Sequence, residues 1–351
     1  HMRVYADLHI HSHYSAATSK DMVIPEIVHF AKIKGLNLIG TGDALHPSWI
    51  RELKMTLEES PSEGLYTPRG LGEGEVYFIV QTEVGTVFEF EGKVRRVHHV
   101  ILMPSLEVAE QLSDLLSFYG NTASDGRPTF NMRPAELVDL VLGIDDDNFI
   151  FPAHAWTPWY GIFGSNGGFD SLEEAFEEEA KYIYAIETGL SSDAAMNWRL
   201  SALDKITLIS NSDAHSPHRI GREANVFNCA CDYYEIIDTI KKKDKNRFLC
   251  TIEFYPEEGK YHYDGHRKCN ILFSPKETKE HNYICPVCGQ PVTVGVMHRV
   301  ETLADRPEGY RPEGAIPEIH LIPLEEIIAE AMNKQISAKG VQEEYERLVS
   351  Y

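Results

Sequence analysis

Cysteine is missing from the first 228 residues of this 351-residue chain; all six cysteines lie between Cys229 and Cys288. That distribution excludes a disulfide-stapled secreted scaffold, in which bridges span the whole fold. No apolar run approaches the roughly 20 residues that cross a bilayer as a helix, so no membrane partner is expected. Basic residues are also scarce: 33 Lys and Arg stand against 54 Asp and Glu, a formal net charge of −21. So acidic a surface argues against non-specific adhesion to nucleic acid, while leaving room for a local basic groove. Neither a phosphate-binding P-loop nor a serine nucleophile elbow occurs. The stretch Gly70-Leu71-Gly72-Glu73-Gly74 is glycine-rich, but Glu73 and Glu75 would repel phosphate and no helix follows. The start, His1-Met2-Arg3-Val4, has no secretory pattern, and His1 ahead of Met2 reads as a tag remnant. Together these features predict a cytoplasmic chain.

Hydrophobic residues make up 43% of the sequence. That is enough for one large α/β domain with appendages. Short apolar runs at 4–10, 36–42, 76–82, 97–103, 149–153, 183–187, 206–210 and 248–252 predict strands. Amphipathic stretches at 25–34, 47–59, 106–118, 134–142, 171–180, 194–203 and 233–243 predict helices, with Pro25, Pro47 and Pro134 in first-turn positions. Such alternation implies parallel strands with helices outside, as a barrel or an open sheet. Around Gly85 and Gly92 a hairpin interrupts it.

The most informative residues sit at the ends of these runs. Asp7-Leu8-His9-Ile10-His11 and Asn211-Ser212-Asp213-Ala214-His215 each carry two metal-binding side chains two residues apart, hence on one face of an extended segment. Glu83, His154 and Asp43 follow other apolar runs. Carboxylates there are costly to bury unless paired or metal-bound. His98 and His99 must face opposite sides of a strand, so one of them is a ligand, and His99 is the residue chosen. His46 is an alternative to Asp43, and helix capping is another role open to Asp43. Convergence of all these ends on one face favours the barrel, whose active sites lie at the strand C-termini. Histidines and carboxylates that hold two or three divalent ions (zinc, with manganese or magnesium as alternatives) suit phosphate-ester hydrolysis: the ions activate water and clamp the phosphate oxygens. Asp213, Glu83, His9 and His11 are the expected catalytic residues.

Beyond the linker Tyr255-Pro256-Glu257-Glu258-Gly259 the composition changes. His266-x2-Cys269 and Cys285-x2-Cys288 fit a closed structural zinc site, with His298 or His262 as other candidates for the fourth ligand. Cys229, Cys231 and Cys250 read as buried thiols. Two packing helices are expected near 324–331 and 341–349. The domains expected are therefore a phosphoesterase barrel over 3–255, a zinc module over 256–306 and a helical segment over 307–351.

The motifs Asp7-Leu8-His9-Ile10-His11-Ser12, Thr41-Gly42-Asp43, Glu83, His99, Ala153-His154 and Ser212-Asp213-Ala214-His215 resemble those of the polymerase-and-histidinol-phosphatase (PHP) family. The resemblance covers about residues 3–255. It implies a distorted (β/α)7 barrel with one ion on His9, His11, Glu83 and Asp213, a second on Glu83, His99 and His154, and a third near Asp43 and His215. Two departures are visible. The family often has Asp-His where this chain has Gly42-Asp43, and its further ligand after the second histidine has only His13, Ser15 and Ser19 as counterparts.

The PHP part followed by the Cys/His module, with Tyr261 to Cys269, Cys285 to Gly289 and Gly295 to Val300, is similar to the endonuclease Q family. That similarity implies nicking of DNA on the 5′ side of deaminated bases (uracil, hypoxanthine, xanthine) or abasic sites. Damaged DNA would be the partner, and a sliding clamp a further one through a tail motif this chain does not display. Base flipping needs a receiving pocket. The Trp156, Trp159 and Tyr160 loop after His154 is the candidate, either as a wedge for bases or as a closure of the barrel mouth. Arg95, Arg96 and Arg267 are the candidate phosphate contacts, and the 241–245 lysine cluster reads as a solvated helix end. A small-molecule phosphatase on the same barrel is the alternative; it would need no Cys/His appendage.

Overall fold

A computed structural model describes residues 3–71 and 76–350. The His1-Met2 start and most of the glycine-rich stretch lie outside the described residues. The fold is mixed α/β around a central mixed sheet. Strand Val4–Asp7 pairs in parallel with Leu38–Gly40, which pairs in parallel with Tyr77–Phe90. Tyr77–Phe90 runs antiparallel to Lys93–Met103, which pairs antiparallel with Phe149–Pro152. Ala185–Glu187 and Thr207–Ile209 form a separate parallel pair. On its other side Val4–Asp7 pairs antiparallel with Ala224–Phe227, a strand the apolar pattern does not mark, and Phe248–Glu253 follows.

The parallel expectation is corrected at Ala224–Phe227, which runs antiparallel to both its neighbours, whereas the expected hairpin returns the 77–103 segment through a tight turn at Glu91-Gly92. Both residues have positive φ, 51° and 73°. A two-residue connection can only make an antiparallel pair. The 14-residue strand Tyr77–Phe90 absorbs Gly85 without a break.

Helix ends follow sequence signals. Ser105 caps Leu106–Leu116 by accepting from Val108 N, and Asp232 caps Tyr233–Lys242 by accepting from Glu235 N. Pro25, Pro47 and Pro134 lie in first turns. Three predicted helices are shorter than expected. Leu172–Phe176 continues as a 3-10 turn, Ala194–Asn197 is followed by the 3-10 turn Ser201–Leu203, and Pro47–Thr56 gives way to strand Leu57–Glu59, which pairs antiparallel with Tyr66–Pro68. No helix among the described residues is long and apolar enough to cross a membrane.

The core has two principal layers. One collects Ala6, Leu8, Ile79, Val100, Leu102, Phe149 and Phe151 with Ile236 and Ile240 of the helix Tyr233–Lys242. The other collects the opposite strand faces, such as Val80, Val84, Ile101 and Met103, with the helices Ile24–Lys34, Leu106–Leu116 and Pro134–Ile144. After residue 306 the chain is not helical alone: Glu318–His320 adds a parallel edge strand to Phe248–Glu253 before Leu324–Met332 and Lys339–Val349.

Candidate metal centre

His9 and His11 lie just past strand Val4–Asp7. The chain there meets the 211–215 loop: His11 N–H donates to Ala214 O at 3.0 Å, and Ile10 bridges Ala214 in parallel. This contact brings Asp213, whose φ is +51°, over the two imidazoles. Glu83 enters from the middle of Tyr77–Phe90. His9 Nε2 is 2.6 Å and His11 Nε2 2.9 Å from Glu83 Oε2, and the same nitrogens are 3.3 and 2.8 Å from Asp213 Oδ1. Four donor atoms thus converge from residues 200 apart in sequence.

Glu83 is shared with a second group. Its Oε1 is 2.8 Å from His98 Nδ1 and 3.2 Å from His154 Nε2. His98, not His99, is the member, and the expectation for His99 is corrected. On this strand Val100 and Leu102 face one core layer and Ile101 and Met103 the other. Strand alternation puts His98 with the first pair and His99 with the second. His99 instead contacts Thr86 Oγ1 at 2.9 Å and packs edge-on to Phe176.

Asp43 and His215 are not joined in a third group among the described residues. The Asp43 carboxylate, φ +48°, accepts from Ser12 N at 2.7 Å, from Ser12 Oγ at 2.5 Å and from Ser15 Oγ at 2.9 Å, and lies 3.2 Å from His11 Nδ1. Its oxygens are occupied in holding His11 and the following turn. His215 is half-buried, lies tilted against His11 with centroids 4.4 Å apart, and has Nδ1 2.8 Å from Asp213 O. His46 caps Pro47–Thr56.

The electrostatics favour cations. Burial lowers the His9 pKa, but the Glu187 and Glu83 carboxylates outweigh it and hold the imidazole well above its ordinary range. His11 is raised likewise against burial, by Asp213, Asp43 and Glu83. Burial would raise Glu83, yet the charged His9 and hydrogen bonds from His11 and His154 hold it well below a normal glutamate, and Asp213 is depressed against burial by His9. Without a bound cation the carboxylates are balanced chiefly by imidazolium protons, with the Arg127 guanidinium 3.9 Å from Glu83. Imidazole nitrogens and carboxylate oxygens at these separations fit divalent ions, which would replace those protons. His98 and His99 are driven the other way by burial, to about 4 and about 3, so both are neutral imidazoles. A neutral His98 is the form that binds a metal.

A cavity of about 620 Å3 opens beside the cluster, lined by Asp213, His154, His98, Arg127, Trp159 and Tyr160 among others. Arg127 is the one Lys or Arg among its described lining residues; its guanidinium is 3.9 Å from Glu83 Oε1. The loop carrying it approaches so closely that a Cβ on Gly126 would collide with the Asp43 carboxylate. Tyr160 stacks on His98 at 4.0 Å, and Trp159 is 47% exposed and packs edge-on to Tyr261. Trp156 differs: it is 1% exposed, donates to Asn197 Oδ1 at 2.7 Å and packs on Phe163. Its expected place among substrate contacts is corrected, since the apolar ring buys more from burial than from the mouth. Arg95 is also corrected: it lies over Phe169 and donates to Gly168 O. Arg96 is exposed, and Arg267 lies over Tyr261, the ring against which Trp159 packs.

His266, Cys269, Cys285 and Cys288 come together as expected, with His266 Nδ1 3.4 Å from Cys288 Sγ. Burial works against the Cys285 thiolate, but the backbone amides of Cys288 and Val287 bring its pKa down to about 6. That four-donor set suits a closed tetrahedral zinc. His298 is instead engaged with Asp264 at 2.7 Å.

Known proteins with this architecture give a consistent picture. The lesion-specific endonuclease PfuEndoQ from Pyrococcus furiosus matches with 35% identity and a TM-score of 0.86, over 99% of this chain and 83% of that one. The chain belongs to the endonuclease Q family. A second solved structure, endonuclease Q with a 27-mer duplex substrate carrying an abasic lesion at its active site, matches with 36% identity and a TM-score of 0.86, over 99% and 84% of the two chains. The uncharacterized protein YqxK of Bacillus subtilis is 30% identical over 337 residues, 92% of this chain and 82% of its own. An uncharacterized protein of Methanocaldococcus jannaschii is 33% identical over 216 residues, 58% of this chain; the match spans about a quarter of its length. No family model matches.

Two residues of this endonuclease Q family member escape a reading of the sequence. Glu187 lies 2.9 Å from His9 Nδ1, accepts from Asn211 Nδ2 at 2.9 Å and from His154 N at 3.0 Å. It fixes one histidine's ring and another's backbone, as a carboxylate behind a metal ligand does. A carboxylate closing the apolar run 183–187 was the available signal, the same one that marks Glu83. Arg127 sits in a polar loop with no signal.

Proposed function

We propose that this chain is a metal-dependent DNA repair endonuclease. It hydrolyses the phosphodiester on the 5′ side of a deaminated base or an abasic site, on a distorted barrel of the PHP type. The observation that carries the reading is the sharing of Glu83 between two donor groups beside a cavity wide enough for a nucleotide. His9, His11, Glu83 and Asp213 would hold one ion, and Glu83, His98 and His154 a second. Bound there, the ions lower the pKa of a water and neutralise phosphate charge.

The chain's own residues do the rest. Glu187 orients His9, and Asp43 orients His11. Arg127 would pair with a non-bridging phosphate oxygen, since it lines the cavity and, among the described residues, its guanidinium has one carboxylate within ion-pair reach, Glu83 at 3.9 Å. Trp159 and Tyr160 offer stacking faces for an unpaired base. Support for DNA comes from the PfuEndoQ and abasic-duplex relatives. The Cys/His module supports it too, because Tyr261 and Arg267 extend the mouth beyond what a small phosphomonoester needs. The test is a labelled duplex with one uracil. A single nick mapped to its 5′ side, absent after metal chelation and restored by divalent ions, is expected. Cleavage of undamaged duplex at the same rate, or release of phosphate from monoesters only, would refute the reading.

A further inference from the structure

One buried amide lies between the segments that carry the metal-centre histidines. Gln81 belongs to the strand Tyr77–Phe90, two residues before Glu83 and therefore on the same face, and it is fully buried. Its Oε1 accepts from Ile10 N–H at 3.1 Å and from Gly42 N–H at 2.9 Å. The amino group would set donor against donor there, so the oxygen is the atom that faces both amides. Its Nε2 is buried and has no hydrogen-bond partner among the described residues. Burying that group is costly, and a methionine of similar length would fill the space without the cost. What the glutamine adds is the acceptor.

Both donors belong to segments that hold the cluster. Ile10 N–H is in the peptide that joins His9 to Ile10, so a tilt of that peptide turns the His9 and His11 imidazoles together. Gly42 precedes Asp43, whose carboxylate lies 3.2 Å from His11 Nδ1. The 41–44 loop is held to the same residue by two further bonds: Thr41 Oγ1 donates to Gln81 O at 3.1 Å, and Ala44 N–H donates to it at 3.2 Å. The side chain reaches across because position 40 is glycine; a Cβ there would lie 2.5 Å from Gln81 Oε1. A single oxygen thus ties the His9-Ile10-His11 run to the Gly42-Asp43 loop.

We infer that Gln81 is a positioning residue of the metal centre: its Oε1 fixes the two segments so that His9 and His11 meet Glu83 and Asp213 as ligands. It touches neither ion nor substrate, and its role rests on the metal-centre reading. Gln81→Met removes the acceptor at similar volume, and Gln81→Glu keeps an acceptor oxygen. Gly40→Ala keeps the glutamine and displaces its Oε1, the far end of a flexible side chain; it carries the comparison if Gln81→Met does not fold. Folding of each full chain is checked by thermal melting. Mn2+ affinity is then titrated on protein stripped of metal and reloaded with the zinc of the Cys/His module, and hydrogen exchange is followed in peptides covering residues 10 and 42. Gln81→Met and Gly40→Ala should lose about 10–100-fold in Mn2+ affinity, as loss of a partner behind a metal ligand does, with faster exchange in both peptides. Gln81→Glu should recover most of the affinity. Wild-type affinity in the folded Gln81→Met or Gly40→Ala chain would make Gln81 a packing residue and overturn the inference alone, as would a loss in Gln81→Glu equal to that in Gln81→Met. A wild-type chain that binds no Mn2+ would overturn the metal-centre reading, and the inference with it.

Discussion

Replacing His98 and His99 separately by alanine tests the site at its most specific point. The two are neighbours in sequence and both buried. His98 Nδ1 lies 2.8 Å from Glu83 Oε1, whereas His99 reaches only Thr86 Oγ1 at 2.9 Å and the Phe176 ring. His98→Ala removes a ligand from the second group. Loss of an outer-shell partner alone costs about 10–100-fold in metal affinity or activity, so a direct ligand should cost at least about 100-fold. His99→Ala leaves the cluster intact but removes one hydrogen bond and leaves a small void against Phe176; the Thr86 hydroxyl keeps Val97 O as a partner. The hydrogen bond is worth about 1 kcal/mol, and the void adds about 1–2 kcal/mol. A total of about 2–3 kcal/mol lowers the thermal midpoint by roughly 3–4 °C in a chain of this size. Metal content by elemental analysis, nicking of a uracil duplex and thermal melting are measured on both proteins. The expected pattern is crossed: His98→Ala loses metal and nicking, and His99→Ala loses stability. If His99→Ala loses metal while His98→Ala keeps it, the assignment by strand face is refuted.

Asp213→Asn keeps the shape but not the charge of a residue facing both His9 and His11; nicking should fall by orders of magnitude while lesion-duplex binding, read by anisotropy, persists. Cys285→Ser should release one zinc per chain and expose residues 260–300 to protease, because metal binding there is folding energy. Trp159→Ala should reduce the preference for uracil over undamaged duplex, whereas Trp156→Ala should cost about 3–5 kcal/mol of stability, as a buried ring does. Equal effects of the two on discrimination would count against the mouth assignment. The buried Glu223–Glu253 pair predicts a pH effect. Burial and mutual repulsion raise the Glu223 pKa in the folded chain well above the unfolded value. The folded state therefore holds its proton more tightly, and the associated stability is complete below about pH 4.5, the unfolded glutamate range, and lost as pH rises through the folded pKa. Glu223→Gln should raise the melting midpoint at pH 8 and leave it unchanged near pH 4; a stabilisation equal at both values would exclude the titration as its source.

The sequence by itself determined the donor types and most of their positions in the candidate cluster. His9, His11, Glu83, His154 and Asp213 are legible because a polar ligand closing an apolar run is costly unless something binds it. The Cys/His spacing likewise sets the 266–288 donor set, since short loops leave those side chains little choice of partner. Helix starts are legible too, because caps and first-turn prolines act within a few residues. Only the tertiary structure decided which faces are inside. Strand alternation says that His98 and His99 point apart, but not which side holds the cluster; Val100 and Leu102 against Ile101 and Met103 settle that through packing on opposite core layers. Asp43 has the chemistry of a ligand and is taken up by Ser12, Ser15 and His11 because the loop geometry brings their donors to it first. Trp156 and Trp159 are chemically alike and three residues apart, yet a turn buries one and exposes the other. Glu187 and Arg127 acquire their places only when strands and loops distant in sequence close on Glu83 and His9. Chemistry is local in sequence, whereas orientation and company depend on contacts made across the whole chain.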